Sequence, residues 1–233
     1  MKKRGTGEVK KDEIDRIHDF DLLELPYVPP AKDTKGGVGL RTTNPVVFFE
    51  IAAMGGKELK DGTKTQPRLL GKLFIELRRD LLPVACANFL TLCEGTIGVG
   101  ADGVRYHYKG TKIHRVIKDT FFQAGDLLDQ DGECSRSIYN HGGLFRDENY
   151  LLRHTGAGCV SYCNRGPDSN GSLFQVTFRE NPDLDNRFVV FGCITNQESL
   201  DCLYNISNLG TLSGKPLEEI RIIDCGVAFE GNL

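Results

Sequence analysis

The stretch Ile113-His114-Arg115-Val116-Ile117, followed by Phe121-Phe122-Gln123-Ala124-Gly125-Asp126, decides how this chain is read. An arginine sits eight positions before a glutamine, and each lies inside an apolar run. If each run is a strand, side chains alternate between its faces, so the two polar heads can face one cleft off an apolar wall. Further on, Val160-Ser161-Tyr162-Cys163-Asn164 leads through Arg165-Gly166-Pro167-Asp168-Ser169-Asn170-Gly171-Ser172 to Leu173-Phe174, repeating the order of strand, polar turn and strand.

Working outward, the chain from Asn44 reads as mostly β. Val46 to Ala52 and Leu69 to Leu77 form the first two strands, joined by a polar loop from Gly55 to Pro67 that is longer than a hairpin needs. Cys86, Phe89, Leu90 and Cys93 fall at i, i+3, i+4 and i+7, the spacing of an apolar helical face, with Pro83 near the start and Gly95 just past the end. Short strands recur at Lys112 to Ile117, Phe121 to Ala124, Gly158 to Cys163, Leu173 to Thr177, Phe188 to Ile194 and Glu219 to Val227, separated by turns rich in Gly, Asn and Asp. Leu200, Leu203 and Tyr204 mark a second helix before Gly210. Many short strands with two helices suit a closed antiparallel barrel whose open ends the helices cover, because closure removes exposed sheet edges.

Taken in order, these segments resemble the cyclophilins, the family of peptidyl-prolyl cis-trans isomerases. The resemblance spans about Asn44 to Phe229. It rests on Phe48-Phe49-Glu50-Ile51, Ala87-Asn88-Phe89, His114-Arg115, Phe122-Gln123-Ala124-Gly125-Asp126, Phe145-Arg146-Asp147-Glu148-Asn149, His154-Thr155-Gly156, Gly166-Pro167, Asn170-Gly171-Ser172-Leu173-Phe174, Val189-Val190-Phe191-Gly192 and Asp224-Cys225-Gly226. Each piece is weak alone; their order and spacing together carry the match. The resemblance implies a mainly β fold, a closed eight-stranded antiparallel barrel capped by two α-helices.

The chemistry it implies is rotation about a partial double bond, against a barrier of about 18 to 20 kcal/mol. No covalent intermediate is needed. A catalyst must favour a twisted amide whose prolyl nitrogen can accept a hydrogen bond, and arginine, with several donors in a planar fork, suits that task in a way lysine does not. The resemblance puts Arg115 at the catalytic position, Gln123 and Asn164 at positions that hold the substrate backbone, and Leu184 on the rim of the proline pocket. Seven further positions depart from the family. Thr120 and Gln175 stand where phenylalanines line the pocket, Phe121 where methionine does, Cys163 for alanine, Leu173 for a second glutamine, Asp183 for tryptophan and Phe188 for histidine. Losing most of one phenylalanine's contact with proline forfeits about 1 to 3 kcal/mol of binding. The expectation is a retained catalytic arm beside a remodelled pocket.

A finer resemblance lies in Gly103-Val104-Arg105-Tyr106-His107-Tyr108-Lys109 and in Leu184-Asp185-Asn186-Arg187-Phe188-Val189-Val190-Phe191-Gly192, which are similar to the radial-spoke type of cyclophilin-like protein in ciliary axonemes. It implies a binding or scaffolding unit in a large assembly, cytoplasmic or in a motile cilium. An active isomerase acting as a folding factor in the cytosol is the competing expectation.

Composition sets bounds. The chain has 233 residues, a formal net charge of -3 and a pI near 6.0, which give no general attraction to nucleic acid or to an anionic membrane. No stretch reaches the roughly 18 apolar residues of a membrane span. Met1-Lys2-Lys3-Arg4-Gly5 is followed by no apolar signal region. Eight cysteines include no C-x-x-C pair and sit mostly in apolar runs, and so read as buried thiols of a reducing compartment. The histidines share no metal-ligand spacing, so neither metal nor cofactor is expected; His154 reads as part of a structural turn, and Asp183 and Asp185 as solvated loop carboxylates.

Residues 1–43 differ in composition from the domain at 44–233. Glu8 to Asp19 suits a short helix, and Phe20 to Pro30 is an apolar cluster that Pro26, Pro29 and Pro30 keep extended. A solvated tail would hold fewer large apolar residues. Two readings stand side by side: an arm that docks on a partner assembly, and a segment folded back on its own domain. The partners expected are proline-containing peptide segments at the cleft and a larger protein assembly at the arm.

Overall fold

The computed structural model describes residues 44–56, 58 and 60–231. The arm expected over residues 1–43, with its short helix and proline-punctuated segment, lies outside the described residues. Among those described are eight strands, two α-helices and one 3₁₀ turn. In chain order the strands are β1 (Val46–Ala53), β2 (Arg68–Leu77), β3 (Ile113–Ile117), β4 (Phe121–Ala124), β5 (Cys159–Tyr162), β6 (Phe174–Thr177), β7 (Val190–Ile194) and β8 (Ile220–Phe229). Helix α1 (Pro83–Glu94) follows β2, and α2 (Gln197–Ser207) follows β7.

All ladders between these strands are antiparallel, in the order β3-β4-β6-β5-β7-β2-β1-β8. The sheet curls into a half-barrel, which corrects the expectation of full closure. Its end strands β3 and β8 share no ladder; they meet at a single bridge between Lys112 and Arg221, flanked by Ile222 N–H donating to the Thr111 carbonyl at 3.0 Å. The reason is local. The free edge of β3 is already taken by the loop before β8: Val116 N–H donates to the Gly214 carbonyl at 2.8 Å, and Thr211 N–H to the Val116 carbonyl at 3.2 Å. With these groups satisfied, β8 has no edge left to pair with beyond the bridge.

Inside the curl lies an aromatic core. Phe174 is fully buried, and its ring centroid is 5.1 Å from Phe89, 5.2 Å from Tyr108 and 5.6 Å from Phe49. Phe191 stacks on Tyr162 at 4.3 Å. Such offset and edge-on pairs add to burial, which makes this cluster the main apolar contribution to stability.

Helix α1 begins at Pro83, whose missing N–H costs nothing in the first turn, and ends at Gly95, which adopts φ 68 where other residues are strained. Its first turn has no cap from its own chain neighbours. Instead the Glu148 carboxylate accepts from Val84 N–H at 3.1 Å and Ala85 N–H at 2.8 Å, where the helix dipole favours an anion. Helix α2 is capped by Asn196, whose side chain accepts from Ser199 N–H at 2.9 Å. Its buried face consists of Ser199, Cys202, Leu203, Ile206 and Ser207. Tyr204, expected to mark the apolar face, is instead exposed, one helical step beyond it.

Candidate functional site

Strands β3 and β4 position the first part of the site. Arg115 pairs directly with Gln123 in the ladder, while Val116 pairs with Phe122 on the core side. The connection Lys118-Asp119-Thr120 turns tightly because Asp119 takes a left-handed φ of 57, and Thr120 N–H donates to the Ile117 carbonyl at 3.0 Å. Directly opposed residues share a face, so the arginine and glutamine heads stand side by side, with Arg115 Nη1 at 3.5 Å from Gln123 Oε1. The guanidinium also lies 6.0 Å from the centre of the Phe121 ring.

The same row continues across the sheet. Gln123 is opposite Gln175 on β6, and Gln175 is opposite Ser161 on β5. Gln123 Nε2 lies 3.3 Å from Gln175 Oε1, and Gln175 Nε2 lies 3.1 Å from Ser161 Oγ. Ser161 Oγ is 2.8 Å from His154 Nε2, and His154 Nδ1 is 2.9 Å from Asp185 Oδ1, which also accepts from His154 N–H. Gln175, Ser161 and His154 are buried. Burial lowers the basicity of the His154 imidazole, with Asp185 acting in the opposite sense.

On the other side of Arg115 and Gln123 opens a cavity of about 520 Å³. Its walls include His114, Glu133, Arg136, Leu144, Asn164 and Leu173. An ion pair spans it: Arg165 donates to the Glu133 carboxylate and, at 2.8 Å, to the Glu133 carbonyl. Both side chains are largely exposed, so the pair is worth at most about 1 kcal/mol. Arg136 is engaged by Asp102 at 3.4 Å.

The loop that carries Glu133 is tied down by Asp126, a wholly buried carboxylate. Its Oδ1 accepts from Leu128 N–H at 2.9 Å, and its Oδ2 from Gly132 N–H at 3.0 Å and Cys134 N–H at 3.1 Å. Burial pushes this carboxyl up, but the backbone donors together outweigh burial and hold it below the ordinary value. Gly132, at φ 95, lies against the His114 ring, where an added Cβ would come within 2.6 Å of Nε2.

The other residues predicted for the site are distributed as follows. Asn164 donates to the Arg187 carbonyl at 3.2 Å and faces the cavity. Cys163 and Leu173 line the same cavity, and burial raises the Cys163 thiol far above its ordinary value. Leu184 is buried in the 3₁₀ turn, Pro182–Leu184, with exposed Asp183 beside it. Phe188 is half-buried under the Arg187 guanidinium, 5.5 Å from the ring centre. Thr120 is half-buried in the β3–β4 turn, its hydroxyl donating to the Lys118 carbonyl at 3.2 Å. Gln175, expected to touch substrate, is covered on all sides and holds its neighbours instead. Asp185 is not a solvated loop carboxylate, since it fixes His154. His154, Ser161, Asp185, Glu133 and Arg165 were not identified as site residues from sequence. No spacing rule marks them, because their partners arrive from distant segments of the chain, most of them loops.

A model of the family described as cyclophilin type peptidyl-prolyl cis-trans isomerase/CLD matches residues 63–227. The chain belongs to the cyclophilin family. The NK-tumor recognition proteins of Mus musculus and Homo sapiens are each 40% identical over 160 residues, covering 68% of this chain and 11% of theirs. This cyclophilin therefore spans about a tenth of the length of those relatives, and the likeness concerns the domain alone. Of the residues predicted for the site, Arg115, Gln123, Cys163, Asn164 and Leu173 line one cavity, whereas Thr120, Phe121, Gln175, Asp183, Leu184 and Phe188 lie outside its lining.

Proposed function

We propose that this cyclophilin domain binds proline-containing segments through a remodelled pocket, isomerises them weakly, and serves chiefly as a protein-binding unit of a large assembly. The observation that carries this reading is Gln175. Where the family has an aromatic wall, the chain has a buried amide with hydrogen bonds on both sides, so the proline ring gains less apolar contact. Arg115 keeps its place beside Gln123 and Asn164, which supports residual activity rather than none. A radial-spoke setting, in cytoplasm or cilium, is favoured by the segments Gly103 to Lys109 and Leu184 to Gly192, with the N-terminal 43 residues as the docking arm.

The competing reading, a fully active folding factor, rests on the same Arg115–Gln123 pair. A prolyl isomerisation assay on an Xaa-Pro peptide, run beside a direct binding measurement, separates the two. The expected result is a kcat/KM one to two orders of magnitude below that of an ordinary family member, lost in Arg115→Ala, with peptide binding weakened but measurable. Each tenfold corresponds to about 1.4 kcal/mol, so the pocket losses suffice. Ordinary family rates that vanish in Arg115→Ala would establish the folding factor instead.

A further inference from the structure

The donor and acceptor senses along the buried row are fully determined. The Asp185 carboxylate only accepts, so His154 Nδ1 carries the proton that reaches it at 2.9 Å. In the neutral ring Nε2 must then accept, and the Ser161 hydroxyl donates to it at 2.8 Å. Ser161 Oγ, its proton committed, accepts from the Gln175 amide nitrogen at 3.1 Å. That turns the Gln175 carbonyl towards the Gln123 nitrogen at 3.3 Å, and so turns the Gln123 carbonyl towards Arg115 at 3.5 Å. Every link points one way, from guanidinium to carboxylate, and the links among Gln175, Ser161 and His154, which are buried, reinforce one another, while the Arg115 end is exposed.

We infer that Gln175, Ser161 and His154 are positioning residues that fix the Gln123 amide with its oxygen towards Arg115. An amide free to rotate by half a turn would present two N–H donors to a cation for part of the time. The relay removes that orientation. It leaves the other Gln123 N–H turned to the Cys163 sulfur, which lines the cavity, and holds the guanidinium near the ladder. The residue that weakens the pocket wall is thus the one that organises the arginine. As a statement about turnover, the inference rests on the isomerase reading above; as a statement about side-chain orientation, it does not.

The test is a double-mutant cycle read by NMR on the full chain, using the Gln123 side-chain amide and the Arg115 Nε–H resonances. Ser161→Ala, which touches neither residue, is expected to shift both signals in the wild-type background and neither in a Gln175→Leu background. Gln175→Met replaces Gln175→Leu if the latter fails to fold. Absence of any shift from Ser161→Ala in the wild type, or equal shifts in both backgrounds, overturns the relay. In the peptide assay Gln175→Leu is expected to lower turnover about tenfold, about 1.4 kcal/mol, with no loss of peptide affinity; a purely structural role would weaken both. A wild-type protein that turns over no Xaa-Pro peptide while the resonance cycle holds would remove the isomerase reading and leave the relay. Turnover with additive shifts would do the reverse.

Discussion

Replacing Asp126 by asparagine tests how the cavity wall is held. The native carboxylate is wholly buried and accepts three backbone N–H groups, from Leu128, Gly132 and Cys134. An asparagine has one oxygen. Its best orientation keeps that oxygen towards Gly132 and Cys134, which share Oδ2 in the native protein, and aims its NH₂ at the Leu128 N–H. Three bonds to a charged acceptor, each worth about 1.5 to 3 kcal/mol, become two neutral bonds of about 1 kcal/mol and one donor facing a donor. Relief from burying a charge returns part of the loss, so the expected net destabilisation is about 3 kcal/mol. For a domain of this size that lowers Tm by about 6 to 12 °C. The pH dependence carries the sign. The Asp126 carboxyl is held below its ordinary value, so its contribution is complete above about pH 3.9 and is lost as pH falls through the lower folded value. Urea melts of wild type and Asp126→Asn at pH 7 should therefore differ by about 3 kcal/mol, and the gap should close on acidification below about pH 3.9. A gap under 1 kcal/mol at pH 7, or one unchanged in acid, would refute the account.

His154 acts in a different window: burial keeps it neutral, so its contribution is complete above about pH 6.5 and declines as pH falls through its lowered folded value. A stability profile that stays flat between pH 7 and 5, and does not change in His154→Asn, would contradict this. Deletion of residues 1–43 should leave the Tm of the domain unchanged and abolish its incorporation into the native assembly; a lowered Tm with incorporation intact would place the arm within the fold. Cyclosporin should bind at least tenfold more weakly than to an ordinary family member, because Asp183 lacks the indole donor of the family's tryptophan and the chain has no Trp; calorimetry giving ordinary affinity would show that another group replaces it.

Local sequence determined much of this protein. The eight-residue interval from Arg115 to Gln123 was enough to make them cross-strand partners, because a tight turn between two short apolar runs leaves little choice of register. Pro83 and Gly95 likewise marked the ends of α1, since the first lacks an N–H that the helix start does not need and the second tolerates a positive φ. The departures from family type at Thr120, Gln175 and Asp183 were also legible as residues. Tertiary structure decided their consequences. Gln175 reads in sequence as a lost aromatic contact, yet its environment comes from β4 and β5, 52 positions before it and 14 before it, and makes it a link between Gln123 and Ser161. Asp185 meets His154 across 31 positions, and Glu148 caps α1 across more than 60. Barrel closure was settled the same way: whether β8 pairs with β3 depends on which segment reaches the β3 edge, and the loop through Thr211 and Gly214 takes it. A strand's faces follow from its own alternation of side chains, but its partners follow from the order in which the sheet assembles, and no single segment carries that order.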